Sequence, residues 1–474
     1  MHRSSFGRAR WSKTVGVTGA LVAGGLALSL VLLSAPAMSA TTTNTSTIVY
    51  QVHPIAVQAS QSASAGALTP GYCVANFGLA CYTPQIFHTA YQVPWKIDNA
   101  LAGTGEQVAI VDAYGSPTVA SDLAAYDAAF NLPAADLHVY YPNGQPAYNP
   151  LQHSGETGWA EETSLDVQTV HDLAPGARIN LIVASSPNGN DLNVAEQYAL
   201  DHNLGNVMSM SFGAPETAIA GGGNNLQLQQ ADAIYQQAVS DKVSVFASSG
   251  DSGATNGGTS ANALFPASDP NVTATGGTNL FVKADSSTKS TNGTYTGETT
   301  WNDSDPKTCP FGCAYGVFGA TGGAPSAVFN APSYQAVSGQ PMRTTSDVAF
   351  NASVYTATLI YLGFLGGANN GFYFFGGTSE ASPAWAAIAA DLDQANGSSL
   401  GFLNPVLYGL ASTPKTYAAD FHDVTVGNNQ DPYPTAPGSP AKVGYDLPTG
   451  LGSPIVSGLI KTLAPLAQTS YTQP

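Results

Sequence analysis

Apolar residues along this chain gather in short runs, separated by longer stretches with helical periodicity. Val108-Ala109-Ile110-Val111-Asp112, Ile179 to Ala184, Val207 to Phe212 and Val243 to Ala247 each read as a buried strand. Ser121 to Phe130 fits a helix, and Leu226 to Asp241 fits another between the last two strands. Strands alternating with helices predict an α/β fold whose sheet is mostly parallel and covered by helices on both faces. Ser286 to Gly297 is polar and rich in Gly, Ser and Thr, which predicts a surface loop or hairpin. No internal repeat is present.

The N-terminus follows a different pattern. Arg3, Arg8, Arg10 and Lys13 precede an apolar run from Val15 to Leu33, which ends in Ala35-Pro36-Ala37 and Ala40. This order predicts a secretory signal peptide at 1–40, cleaved after Ala37 or Ala40, rather than an uncleaved anchor. Residues 41–81 form a short lead-in whose first part, Thr41 to Gly71, is rich in Thr, Ser, Ala and Gln and is expected to be flexible. A catalytic domain at 82–465 and a tail at 466–474 complete the expected layout.

Composition narrows the function classes. Hydrophobic residues make up 43% of the 474, which excludes a disordered chain, and 50 Gly with 31 Pro imply many loops. Only 9% are charged, and Asp+Glu outnumber Lys+Arg by 31 to 14. That balance argues against nucleic-acid binding, which needs basic patches. Loss of the leader would take the formal charge from −17 to −21. The mature protein is expected to be secreted and monomeric, with no stable membrane association. Cys73 with Cys81, and Cys309 with Cys313, form two close pairs that predict two small-loop disulfides; their spacing does not suit a four-cysteine zinc site.

Three segments carry candidate chemistry. Gly158 to Gln168 is helix-compatible and runs on to Ala174-Pro175, with Glu162 and Asp166 at i and i+4 on one face. Flanking Trp159, Leu165, Val167 and Val170 predict that this helix is buried, so the two carboxyls would share a proton. The strand Val243 to Ala247 runs into Ser248-Ser249-Gly250-Asp251-Ser252-Gly253. That places Asp251 just beyond the carboxyl end of a parallel strand, where open α/β sheets hold their sites. Gly376-Gly377-Thr378-Ser379-Glu380-Ala381-Ser382-Pro383 opens an Ala-rich helix and exposes Ser379 at its positive end.

Together with Phe421-His422-Asp423-Val424-Thr425-Val426-Gly427 and Gly444-Tyr445-Asp446-Leu447-Pro448-Thr449-Gly450-Leu451-Gly452-Ser453-Pro454, these segments resemble the sedolisin family of serine-carboxyl peptidases over about Tyr82 to Pro454. The resemblance implies a subtilisin-like fold and peptide-bond hydrolysis of protein or peptide substrates through an acyl-enzyme. It makes Ser379 the nucleophile, Glu162 the general base, Asp166 its carboxyl partner and Asp251 the acid of the oxyanion hole. A carboxyl base still works where a histidine would be protonated, so an acidic optimum is expected. The resemblance also implies one structural calcium, held by the Asp423 and Asp446 side chains with the Val424, Lys442 and Gly444 carbonyls.

Two other readings remain. A Ser-His-Asp subtilisin would use Asp112, but the chain has no His-Gly-Thr-His segment, and His153 and His171 lack that setting. A non-catalytic binding protein on the same scaffold would have lost Ser379 or Asp251, and both are present. Three departures from the family pattern stand out. Asp112 replaces a Glu of some relatives, Phe212 replaces a Trp, and the lead-in is too short for a folded propeptide domain. Asn44, Asn271, Asn292, Asn302, Asn351 and Asn396 start glycosylation sequons, meaningful only in a eukaryotic secretory pathway.

Overall fold

The computed structural model describes residues 48–52, 54–60, 68–94, 101–147, 149–151, 153–219, 226–284, 293–305, 307–308, 319–430 and 436–464. Along the chain, β1 (Ile55–Ser60) and α1 (Pro70–Phe77) lead to β2 (Ala80–Tyr82) and α2 (Pro84–Ala90). Next come β3 (Gln107–Ala113), α3 (Val119–Phe130), β4 (Asp136–Tyr140), α4 (Ser154–Leu173) and β5 (Arg178–Ala184). They are followed by α5 (Gly189–Asp201), β6 (Val207–Met210), α6 (Leu226–Ser240) and β7 (Ser244–Ser248). The second half contributes β8 (Thr273–Ala284), β9 (Gly293–Thr300), β10 (Val348–Asn351), β11 (Thr356–Leu362) and β12 (Gly371–Gly376). It closes with α7 (Thr378–Asn396), α8 (Asn404–Leu410), α9 (Pro414–Asp420) and α10 (Val456–Leu463).

The main sheet runs in the order β9-β8-β7-β6-β3-β5-β4, with β10 also paired to β8. Every pairing from β8 to β4 is parallel, while β9 returns antiparallel beside β8. The parallel α/β expectation therefore holds; of the loop or hairpin expected at Ser286 to Gly297, residues 293–297 lie in β9 and the rest falls outside the described residues.

Alternation along the parallel strands divides the core in two. Val108 and Ile110 of β3 join Ile179, Leu181 and Val183 of β5 beneath α4 and α7. Ala109, Val111 and Ala113 point the other way with Ile182 and Ala184, toward α5 and α6. A period of two decides which face each residue serves. Asp112 shares the parity of Val108 and Ile110, so the buried Asp112 carboxyl faces α4.

The expected strand Val207 to Phe212 is shorter than the apolar run, ending at Met210. Ser211 turns toward the helices and Gly213 pairs outside the sheet with Gln51. Residues 55–60, within the stretch expected to be flexible, instead form β1 against β12, because an exposed strand edge supplies the backbone partners that composition does not reveal. Cys73 and Cys81 form the expected disulfide, tying α1 to β2, whereas Cys309 and Cys313 lie outside the described residues. Asn302 and Asn351 are buried with their amides already donating, so neither sequon can accept a glycan in the folded state. Among the described residues no helix is long and apolar enough to cross a membrane; Val15 to Leu33 lies outside them.

Candidate active site

Four chain segments converge at the carboxyl ends of β3, β6 and β7. Ser379 is the second residue of α7, and its Oγ donates to the Ser211 carbonyl at 3.4 Å. The approach to this helix requires glycine at Gly377, which has φ +129°, and a Cβ there would stand 2.8 Å from Asp251 Oδ2. The Thr378 amide and hydroxyl both donate to Asp251 Oδ1 at 2.7 Å, and Gly250 N donates to Thr378 Oγ1 at 3.0 Å. These bonds fasten the Asp251 turn to the positive end of α7.

Pro383 lies inside α7 and has no N–H, so the Ser379 carbonyl loses its helical donor. The Ser211 hydroxyl sits 3.1 Å from that carbonyl and 2.8 Å from Asp166 Oδ1. A hydroxyl carries one proton. If Ser211 gives it to the carbonyl, Asp166 must be the donor in the other contact, which requires a protonated Asp166. Ser211 carries no signal in the sequence, although Pro383, four residues after the candidate serine, was a legible one.

Glu162 and Asp166 project together from α4, and both are fully buried. Burial raises the pKa of each well above the ordinary carboxylate range, and the nearby Asp112 charge adds to it. Asp112 is itself pushed up to about 7 by burial, and Glu161 also reaches about 7. The Ser379 hydroxyl partly offsets the rise at Glu162. Even so, both Glu162 oxygens, both Asp112 oxygens and Asp166 Oδ2 have no hydrogen-bond partner within ordinary limits. Glu162 is close enough to feel the serine electrostatically but beyond ordinary hydrogen-bond reach, a gap that commonly tightens when substrate arrives.

No histidine among the described residues takes part. His88 pairs with Asp172, His138 with Asp136 and His171 with Asp127. His202 stacks on Tyr198 and His422 on Tyr295. His153 caps α4, about 13 Å from Glu162 by helical rise.

A model of the subtilase family matches residues 147–406, more than half of the chain. Kumamolisin of Bacillus sp. (strain MN-32) is 33% identical over 408 residues, covering 83% of this chain and 65% of its own length. Sedolisin of Pseudomonas sp. (strain 101) is 31% identical over 388 residues, 78% of this chain and 59% of its own. A solved structure of Pseudomonas sedolisin, a serine-carboxyl proteinase complexed with pseudo-iodotyrostatin, superposes with a TM-score of 0.67 at 28% identity. It covers 82% of this chain and 99% of that one. The chain belongs to the sedolisin family, within the subtilases. It spans less than two thirds of the length of these two curated sedolisin relatives.

The five residues expected to bind calcium lie near one another in this sedolisin-family chain. Asp423 accepts from Gly444 N at 3.0 Å and from the Tyr417 hydroxyl at 2.9 Å. Asp446 accepts from Lys442 N at 3.0 Å and from Thr449 N at 2.8 Å, while Val424 is buried beside Asp423. No group of three His, Cys, Asp or Glu side chains suited to a metal occurs among the described residues. The expected set uses only two carboxylates, with backbone carbonyls for the rest. Burial pushes Asp446 up to about 6, and the Asp423 charge adds to it. Two mutually repelling carboxyls with no salt-bridge partner among the described residues suit a hard cation.

Proposed function

We propose that this chain is a secreted, acid-acting serine endopeptidase that cleaves peptide bonds through an acyl-enzyme. The observation that carries the reading is the buried carboxyl cluster facing Ser379, in a site with no histidine among the described residues. In this reading Ser379 Oγ attacks the substrate carbonyl and Glu162 accepts its proton. Glu162 later returns that proton to the leaving nitrogen. Asp166 and Asp112 hold the cluster's remaining protons, so one negative charge is shared rather than three carried. Asp251, fixed by Thr378 at the start of α7, faces the developing oxyanion and can donate to it only while protonated. Low pH thus supplies the proton at Asp251 and costs the carboxyl base less than it would cost a histidine.

The same family reading assigns a single structural calcium to Asp423, Asp446 and the carbonyls of Val424, Lys442 and Gly444. When bound, the ion would neutralise the carboxyl pair and tie the C-terminal loops together. Secretion rests on the N-terminal basic and apolar pattern.

A pH–rate profile of purified protein on denatured protein tests the reading. Activity should be highest in acid and vanish in Ser379→Ala. An optimum at neutral or alkaline pH would overturn the carboxyl mechanism.

A further inference from the structure

Helices α5 and α6 cover the face of the sheet turned away from α4 and α7, and each carries a stripe of side-chain amides. Asn190, Asn193 and Gln197 share one face of α5, and Gln227, Gln230 and Gln237 share one face of α6, all at helical spacing. Two bonds join the stripes. Near the start of both helices Gln227 Nε2 donates to Asn190 Oδ1 at 3.0 Å. About two turns further on, Gln197 Nε2 donates to Gln237 Oε1 at 3.1 Å.

Between the helices lies a groove of about 770 Å³, with Asn193 and Val194 on one wall and Gln230, Ala233 and Ile234 on the other. That volume falls within the range of about 300–1,000 Å³ usual for small-molecule sites. Asn193 is 8% exposed, and its amide has no hydrogen-bond partner in the structure. Gln230, exposed on the facing helix, has none either. Two rungs of an amide ladder are therefore closed, and the rung between them is open.

The lining restricts what can complete that rung. It contains no Lys or Arg, and its one charged residue, Asp201, already accepts from Gln197 Nε2 at 2.7 Å. An uncharged ligand is favoured. Both helices bond their own main chains, so the groove offers no backbone edge to an extended peptide. Recognition falls to amides, each an acceptor oxygen beside an N–H donor pair. Neighbouring hydroxyls on a sugar ring, each donor and acceptor at once, match that pairing. The ring's C–H face matches Val194, Ala233 and Ile234. From Asn190 to Gln197 the helix rises about 10 Å, roughly the span of two linked rings.

We propose that the groove between α5 and α6 binds a short neutral oligosaccharide, anchored by hydrogen bonds to the Asn193 and Gln230 amides. It lies across the sheet from α7, which carries Ser379, so sugar binding and peptide-bond cleavage are separate functions. A peptidase held this way would act where such a saccharide is abundant, and only that consequence rests on the proposed function.

Isothermal titration calorimetry on the full chain carrying Ser379→Ala, which removes self-cleavage, tests the site. Cellobiose, maltose and chitobiose are the probes, each at up to about 10 mM, so that a Kd of about 1 mM is detected. At least one should bind with one-to-one stoichiometry. Asn193→Ala should weaken it at least tenfold, because a site built to pair hydroxyls loses much when a partner is removed. Should circular dichroism show that Asn193→Ala disturbs the fold, Gln230→Ala, at an exposed position, makes the same comparison with a loss of at least threefold. Tetra-alanine should not bind. Silence from all three disaccharides overturns the proposal, as does binding that neither change weakens. Binding of tetra-alanine that Asn193→Ala abolishes would make this a polypeptide groove and overturn the saccharide assignment. No arm reads turnover, so a wild-type chain without peptidase activity would sink the function reading and leave this one standing.

Discussion

Asp347 and Asp166 are both fully buried, yet they meet opposite surroundings. Asp347 Oδ1 accepts from Arg343 Nη1 at 2.7 Å and from the Tyr408 hydroxyl at 2.7 Å. Its Oδ2 accepts from Arg343 Nη2 at 2.5 Å and from Ala274 N at 2.8 Å, and Gln335 and Asn404 complete the knot. Asp166, Glu162 and Asp112 share no cation among the described residues and leave five oxygens without a partner. A carboxylate that serves the fold is saturated with donors, because a buried unpaired charge costs several kcal/mol. A cluster left unsaturated instead keeps its protons and stays available for proton transfer.

The largest effect that would sharpen this contrast is at Ser379, the proposed nucleophile. Ser379→Ala should lower kcat by about 10⁴-fold or more while leaving the melting temperature nearly unchanged. Initial rates and a thermal melt on the same sample check both halves. Glu162→Gln should lower kcat by about 10²–10⁴-fold, and Asp251→Ala by about 10²–10³-fold. Neither should destabilise the fold at pH 7, and a large loss of stability would show that these carboxyls are structural after all.

At the saturated site the expectation reverses. Arg343→Met strands the Asp347 charge and should cost about 3–5 kcal/mol in urea unfolding. Asp112→Asn removes an ionisable group without a partner, so the urea midpoint at pH 7 should stay level or rise. If Asp112→Asn is the more damaging of the two, the contrast is wrong.

Stability against pH reads the buried carboxyls together. Asp112, Asp303 and Asp393 are held up at about 7, Glu196 at about 8 and Asp122 at about 6, each chiefly by burial. Raised folded-state values mean that the native state binds more protons than the unfolded chain above about pH 4. Stability is therefore fully present below about pH 4 and lost as pH rises through about 6 to 8. The melting temperature should fall on the order of 10 °C between pH 4 and pH 8. A flat profile would mean that the cluster finds compensating charge.

The smallest effect expected is calcium removal. With calcium at about 100 times its Kd, binding adds about 2.7 kcal/mol. Chelation near neutral pH should then lower the melting temperature by a few degrees. An unchanged melt, with no calcium found by metal analysis, would return Asp423 and Asp446 to ordinary loop roles.

Much of the molecule could be read from local pattern. The runs ending at Asp112 and Ala184 gave β3 and β5, because a buried parallel strand needs only a short continuous apolar segment. The i, i+4 spacing of Glu162 and Asp166 set both on one face of α4 without reference to the fold. Gly377-Thr378-Ser379 marked the start of α7 through backbone needs that only its own residues determine. The disulfide between Cys73 and Cys81 was legible from spacing alone.

What the tertiary structure decided depends on residues far apart in the chain. Ser211 reaches Asp166 and the Ser379 carbonyl only because β6 lies between β3 and β7. Asp112 joins the carboxyl cluster because strand parity turns it toward a helix that begins 42 residues later, at Ser154. The Tyr50 ring meets Phe212 across 162 residues of intervening sequence. Helical and strand periodicity are set by neighbours a few positions away, whereas burial, and the pKa shifts that follow from it, are set by whichever distant elements pack on top. The sequence therefore named the candidate residues, and the fold decided which of them lose their water and which find a partner.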